Sequence, residues 1–262
     1  MHGTRSASVL RGAMLFRVVL SAISLSGCVC NDFRLSMTTS AAPMRLTLND
    51  VSRQRPLTVL LYGASKGRPK PLAIVSHGYR GHDSDYSFIA LDLVGRGYVV
   101  ASIEHSERPG DPPMANSGDL AKLRRPVWQI GVDNIGFVIG EMTRKGFADQ
   151  TRKPIIIGHS NGGDMTMLFA TEHPEAIRIA LSLDNRRMPM PRTSQPKVCS
   201  IRSSNFVADP GVLPSLTEQQ ALGMLIVAVP VKHDDMWDGG TPEQRSAILK
   251  GIEDCIDNNA RD

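Results

Sequence analysis

The chain is short of aromatic residues. Its 262 residues hold 2 Trp, 4 Tyr and 7 Phe, and no basic stripe runs among them. A nucleic-acid platform needs both features, so nothing supports that class of partner. The charge excess is also small once it is located. Three of the 30 Lys and Arg, and none of the 26 Asp and Glu, fall in residues 1–27, which leaves 27 against 26 beyond them. The basic balance therefore does not imply an acidic substrate. No repeat, low-complexity run or Pro-rich linker divides the chain. Only four cysteines occur, Cys28, Cys30, Cys199 and Cys255, and their spacing matches no zinc site. No metal and no organic cofactor is expected. What remains is 41% hydrophobic and 21% charged, the balance of a globular protein. The length suits one core of ordinary size.

The first 27 residues read differently from the rest. Arg5, Arg11 and Arg17 precede an apolar stretch, Val18 to Leu25, followed by small residues. This is the pattern of a secretory signal, and the stretch is shorter than the ~20 residues of a membrane span. The sequence Leu25-Ser26-Gly27-Cys28 resembles a bacterial lipobox, which implies lipid modification at Cys28. Residues 1–27 are thus expected to be a lipoprotein-type signal. Residues 28–43 are expected to be a tether and 44–262 the folded domain. The protein is expected to be exported and held at the envelope membrane through its N-terminus. The alternative is an ordinary cleaved signal. In an oxidising compartment Cys199 and Cys255 either pair, tying the last helix to a late strand, or stay as two buried thiols.

The folded part opens with two strand-like runs, 44–48 and 57–61, separated by a polar turn and read as a hairpin. Short apolar runs then alternate with helical patterns. The runs are 72–75, 98–103, 154–157, 179–183, 198–201 and 224–229. The helices are expected over 85–95, 120–142, 165–171 and 241–256, the last capped by Thr241 with Glu243 in its first turn. Apolar runs of this length suit a parallel sheet covered on both faces. The total is eight strands in an α/β domain.

Gly158-His159-Ser160-Asn161-Gly162-Gly163 follows the 154–157 strand and opens a helix. This is G-x-S-x-G in the strand–turn–helix context that its chemistry needs. The turn lifts the Ser160 oxygen clear of the sheet, and glycines leave room where side chains would collide. A hydroxyl is a poor nucleophile until a base takes its proton. The base follows the nucleophile and the acid in chain order. Of the two later histidines, His173 sits at a polar helix end, whereas His233 lies just past the last strand. His233 is the expected base. For the acid that orients it, Asp184 ends a strand and Asp209 lies in a later loop. The strand end is the better-fixed position. His77-Gly78-Tyr79 ends the third strand, where this chemistry places an oxyanion donor. The donors are expected to be the backbone N–H groups of Tyr79 and Asn161. His77 and His159 read as structural rings beside these turns. Glu104 and His105 lack a third ligand nearby and also read as structural.

With these residues in place, the chain resembles the platelet-activating-factor acetylhydrolase-like branch of the α/β-hydrolases over residues of about 70–240. The resemblance rests on His77-Gly78, the segments 87–93, 97–100 and 101–105, and Leu183-Asp184 followed by Met188-Pro189. It implies the α/β-hydrolase fold, with a mostly parallel eight-stranded sheet and helices on both faces. It favours Asp184 over Asp209, because that family's acid lies about two dozen residues after the nucleophile. It implies hydrolysis of a small carboxylic ester, with a place in lipid degradation. The segment around His233, with Asp234, Asp235 and Trp237, departs from the mammalian members and leaves the acyl and alcohol groups open. An amidase, a lactone hydrolase or an acyltransferase would use the same three residues. A binding lipoprotein without catalysis is a further alternative, and survival of all three residues in order speaks against it.

Overall fold

The computed structural model describes residues 42–65 and 67–257. The expected signal, Cys28 and Cys30 lie outside the described residues. One sheet of eight strands organises the domain, in the order β1-β2-β4-β3-β5-β6-β7-β8. Strands β1 (Met44–Asp50) and β2 (Arg55–Tyr62) form the antiparallel hairpin, with Met44 opposite Leu61. Strand β2 also runs antiparallel to β4 (Val99–Ile103). From there the sheet is parallel through β3 (Leu72–Ser76), β5 (Ile155–His159), β6 (Ile179–Leu183), β7 (Lys197–Arg202) and β8 (Leu225–Ala228).

Each central strand is buried along its whole length, because both faces are covered. Successive side chains point to opposite faces, so the strands feed two cores. Leu72 and Ile74 join one core with Trp128, Val132 and Ile135 of α2 (Leu120–Arg144) and Leu168 of α3 (Asn161–Glu172). Ala73 and Val75 join the other with Ile89 and Leu93 of α1 (Ser87–Gly95) and Ile248 and Ile252 of α5 (Pro242–Asp257). A disulfide joins Cys199 in β7 to Cys255 in α5, so the tie between strand and last helix is present.

Three local differences from the sequence reading have physical reasons. Helix α1 starts at Ser87 rather than Asp85, because the Asp85 carboxylate accepts the His82 amide and holds a turn. Helix α3 starts at Asn161, directly after the nucleophile candidate, so the glycine turn is its first turn. A short helix α4, Leu216–Leu222, has no counterpart in the expectations. It buries no residue fully and so shows no apolar period. A reciprocal Ser215/Glu218 cap and a left-handed Gly223 set its ends.

Candidate active site

The carboxyl ends of β3, β5, β6, β7 and β8 gather the polar groups at one edge of the sheet. At the end of β5, Ser160 has φ 52 and ψ −115. A non-glycine residue there stores roughly 1–3 kcal/mol of strain and persists only if its surroundings hold it. They do. Its N–H donates to Leu183 O at 2.8 Å, and its carbonyl accepts the Asp164 amide at 2.9 Å. The turn can be this tight only because a Cβ is missing at two points. At Gly158 a Cβ would overlap the backbone of Gly162, and at Gly162 it would overlap the carbonyls of Ser76 and His77.

The His233 imidazole lies between Ser160 and Asp184. Its Nε2 is 3.0 Å from Ser160 Oγ, and its Nδ1 is 2.7 Å from Asp184 Oδ2. A carboxylate only accepts, so the neutral ring carries its proton on Nδ1 and leaves Nε2 bare towards the hydroxyl. The ring is held on two further sides. The His233 amide donates to Asn205 Oδ1 at 2.8 Å, and the Phe206 ring stacks on the imidazole with centroids 3.8 Å apart.

Asp184 is 0% exposed and has φ 59. Its carboxylate accepts from the Ser203 hydroxyl at 2.6 Å and the Ser203 amide at 3.1 Å, and pairs with Arg202 Nη2 at 2.9 Å. Burial opposes its charge. The bonds from His233 and Ser203 and the Arg202 guanidinium outweigh that and hold the carboxyl below its ordinary range. Asp209, the other candidate acid, pairs with Arg186 at 3.0 Å instead.

The turn after β3 is held at both ends of Gly78. Its carbonyl accepts from His77 Nδ1 at 2.7 Å and from the Gly81 amide at 3.0 Å. Its N–H donates to the Tyr86 hydroxyl, which lies 2.7 Å from His159 Nδ1. Among the described residues neither the Tyr79 nor the Asn161 amide has a protein acceptor. The Asn161 side chain is tied to α2 by Trp128 Nε1 at 2.9 Å. Burial, and then the nearby His233, push His159 down to about 3, so it stays uncharged beside the hydroxyl it binds. Two clefts of about 400 Å³ share the wall Gly78–Gly81. One contains Ser160, His233, Tyr79 and Trp237, and the other contains Asn161, Met165, Val127 and Met114.

Glu104 accepts the Asp83 amide and the Ser106 hydroxyl. His105 is enclosed between Ser76 and Asn134. Among the described residues no group of His, Cys, Asp and Glu converges as a metal site. Arg202, Ser203, Phe206 and Asp164 have no counterpart in the sequence reading. The available signal for Arg202 was a lone cation closing an apolar strand.

The sheet order, the turn and the grouping at the strand ends are those of the α/β-hydrolase fold. Solved structures agree on the fold. A ferulic acid esterase of Anaeromyces mucronatus superposes with TM-score 0.61 at 10% identity, covering 84% of this chain and 91% of that one. A dienelactone hydrolase of Anabaena variabilis gives 0.54 at 13%, covering 82% and 98%. Within that class the chain is similar to the platelet-activating factor acetylhydrolases. The family model for platelet-activating factor acetylhydrolase, isoform II, matches residues 60–111. The platelet-activating factor acetylhydrolase of Cavia porcellus is 26% identical over 51% of this chain and 42% of its own length. The chain thus spans less than half of that relative.

Proposed function

We propose that this chain hydrolyses small carboxylic esters through an acyl-enzyme. The observation that carries the reading is the line Ser160 Oγ, His233, Asp184, with contacts of 3.0 and 2.7 Å. Ser160 attacks the ester carbonyl while His233 Nε2 takes its proton. The carbonyl oxygen becomes an oxyanion, received by the amides of Tyr79 and Asn161. Ionised Asp184 stabilises the imidazolium, which then protonates the leaving alcohol. Water repeats the sequence on the acyl-serine and frees the acid. The likeness to platelet-activating factor acetylhydrolases supports an ester as substrate and a place in lipid degradation.

The reading extends to location. Residues 1–27 export the chain, and a lipid on Cys28 holds it to the membrane. The Cys199–Cys255 disulfide is of the kind that persists in oxidising compartments. Labelled palmitate should enter the wild type and not Cys28→Ala.

The test of the chemistry is hydrolysis of p-nitrophenyl esters of increasing acyl length. Ser160→Ala should lower kcat by about 10⁴-fold or more. Activity near wild type in that variant rejects the mechanism. Turnover of amides or lactones in preference to esters reassigns the substrate and keeps the triad.

A further inference from the structure

Asp184 is bound from two sides. His233 meets one oxygen, and Arg202 meets the other at 2.9 Å from the end of the neighbouring strand. We propose that Arg202 is a positioning residue that keeps Asp184 ionised and aimed at His233, so that the site works at lower pH than it would without that cation. This rests on the ester-hydrolase reading above.

The geometry is a clamp. Arg202 is 7% exposed. Its Nη1 donates to Asn185 O at 2.6 Å, directly after the acid. Its Nη2 reaches Phe206 O at 3.4 Å as well as the carboxylate. One planar group therefore fixes the acid, the backbone after it and the segment that stacks on the imidazole. The β6–β7 register sets this up. Leu183 pairs with Ile201, and the Asp184 amide donates to Ile201 O. Arg202 is thereby placed beside the acid.

A carboxyl with no exposure favours its neutral form unless a cation lies near it. Arg202 is that cation when His233 is uncharged. When His233 takes the serine proton, Asp184 is already shared with Arg202, so it favours the imidazolium less. Removing Arg202 makes Asp184 easier to protonate and strengthens its pull on the imidazolium. Both effects move the loss of activity on acidification to higher pH. The other groups around His233 are Ser160 and His159 from the nucleophile turn, Asp234 on its own turn, and Asn205 and Phe206 from the segment after β7. Arg80 and Asp85 lie on the cleft wall.

The experiment is the pH dependence of kcat/KM for p-nitrophenyl acetate in wild type, Arg202→Gln and Arg202→Lys. Each is paired with proton NMR of the downfield His233 Nδ1–H resonance. In Arg202→Gln the acid limb should move up by about one pH unit, so the deficit at pH 5 exceeds that at pH 8 by about tenfold. Arg202→Lys should keep the limb near wild type on a lower plateau. A uniform loss at every pH in Arg202→Gln overturns the proposal and leaves a structural role. If that variant does not fold, a Lys variant whose limb has moved up by a full unit overturns it too. The NMR midpoint separates the two readings. If wild type turns over no ester, the function reading fails. A midpoint that still moves up in Arg202→Gln then upholds the clamp, and an unmoved midpoint rejects it.

Discussion

His77 donates from Nδ1 to the carbonyl of Gly78 at 2.7 Å, and that carbonyl belongs to the same peptide plane as the Tyr79 N–H. In a trans peptide the two groups point in opposite directions. Fixing the carbonyl therefore fixes where the amide points. The ring is itself oriented, because His105 N–H can only donate and meets His77 Nε2 at 2.9 Å. That leaves the proton on Nδ1, where the carbonyl needs it.

His77→Ala should therefore lower kcat by about 10- to 100-fold with KM little changed, since the lost contact matters when the oxyanion forms. His77→Asn retains a donor close to the Nδ1 position and should recover part of the rate. Tyr79→Phe should stay within about twofold of wild type, because the proposed donor is the backbone. Steady-state kinetics on one short-chain ester decide all three. A His77→Ala variant with normal kcat breaks the link between ring and amide.

Two glycines give opposite expectations for the same substitution. At Gly162 a Cβ meets the carbonyls of Ser76 and His77, which are backbone and cannot turn aside. Gly162→Ala should cost about 1–3 kcal/mol or more, read as a lower urea midpoint. Gly140 lies in α2 with nothing within 4 Å of its would-be Cβ. Gly140→Ala should raise stability by up to about 1 kcal/mol through better helix propensity. Equal effects at the two sites contradict the packing argument.

Much of this architecture was legible in the sequence because it rests on local patterns. The strands are short apolar runs with the two-faced burial of a covered sheet, and the turn at Ser160 is announced by its glycines. His233 is singled out by chain order together with its place just past the last strand. Arg202 and Asp164 were not legible for a shared reason. Each is a charge inside the fold, and its partner is chosen by strand register or by a loop folding back. A lone Arg after an apolar run reads as a solvated strand end until β6 and β7 are aligned. Helix α4 escaped because seven residues with no fully buried side chain leave no periodic signal. Its Ser215-to-Glu218 cap was the one readable mark.

The Cys199–Cys255 bond closes a segment of 56 residues of separation. On a chain-entropy view a loop of that size contributes about 4 kcal/mol. The double variant Cys199→Ala/Cys255→Ala should lose about 2–4 kcal/mol of unfolding free energy. Its ester hydrolysis at 25 °C should remain, because neither sulfur is among the groups around Ser160. Urea unfolding of both proteins, with and without reductant, tests this. A reductant effect that persists in the double variant shows that something other than this bond is responsible.

Asp164 is 1% exposed in the first turn of α3, and its Oδ1 accepts the amides of Arg187 at 2.9 Å and Met188 at 2.8 Å. Those amides belong to the loop that leaves Asp184, so the side chain fastens that loop to α3. Burial pushes its carboxyl up to about 6, against the pull of the amides. Between pH of about 4 and 6 the native state keeps a proton on Asp164 that the unfolded chain has released. Its contribution to stability therefore falls as pH rises through that window and is smallest above about 6. A shift of roughly two pH units corresponds to about 3 kcal/mol. Asp164→Asn keeps a carbonyl for the two amides and cannot ionise. The variant should gain on wild type steadily from pH 4 to pH 7 in urea unfolding, by up to that amount. A difference between the two that is flat with pH would mean that Asp164 does not titrate in this range.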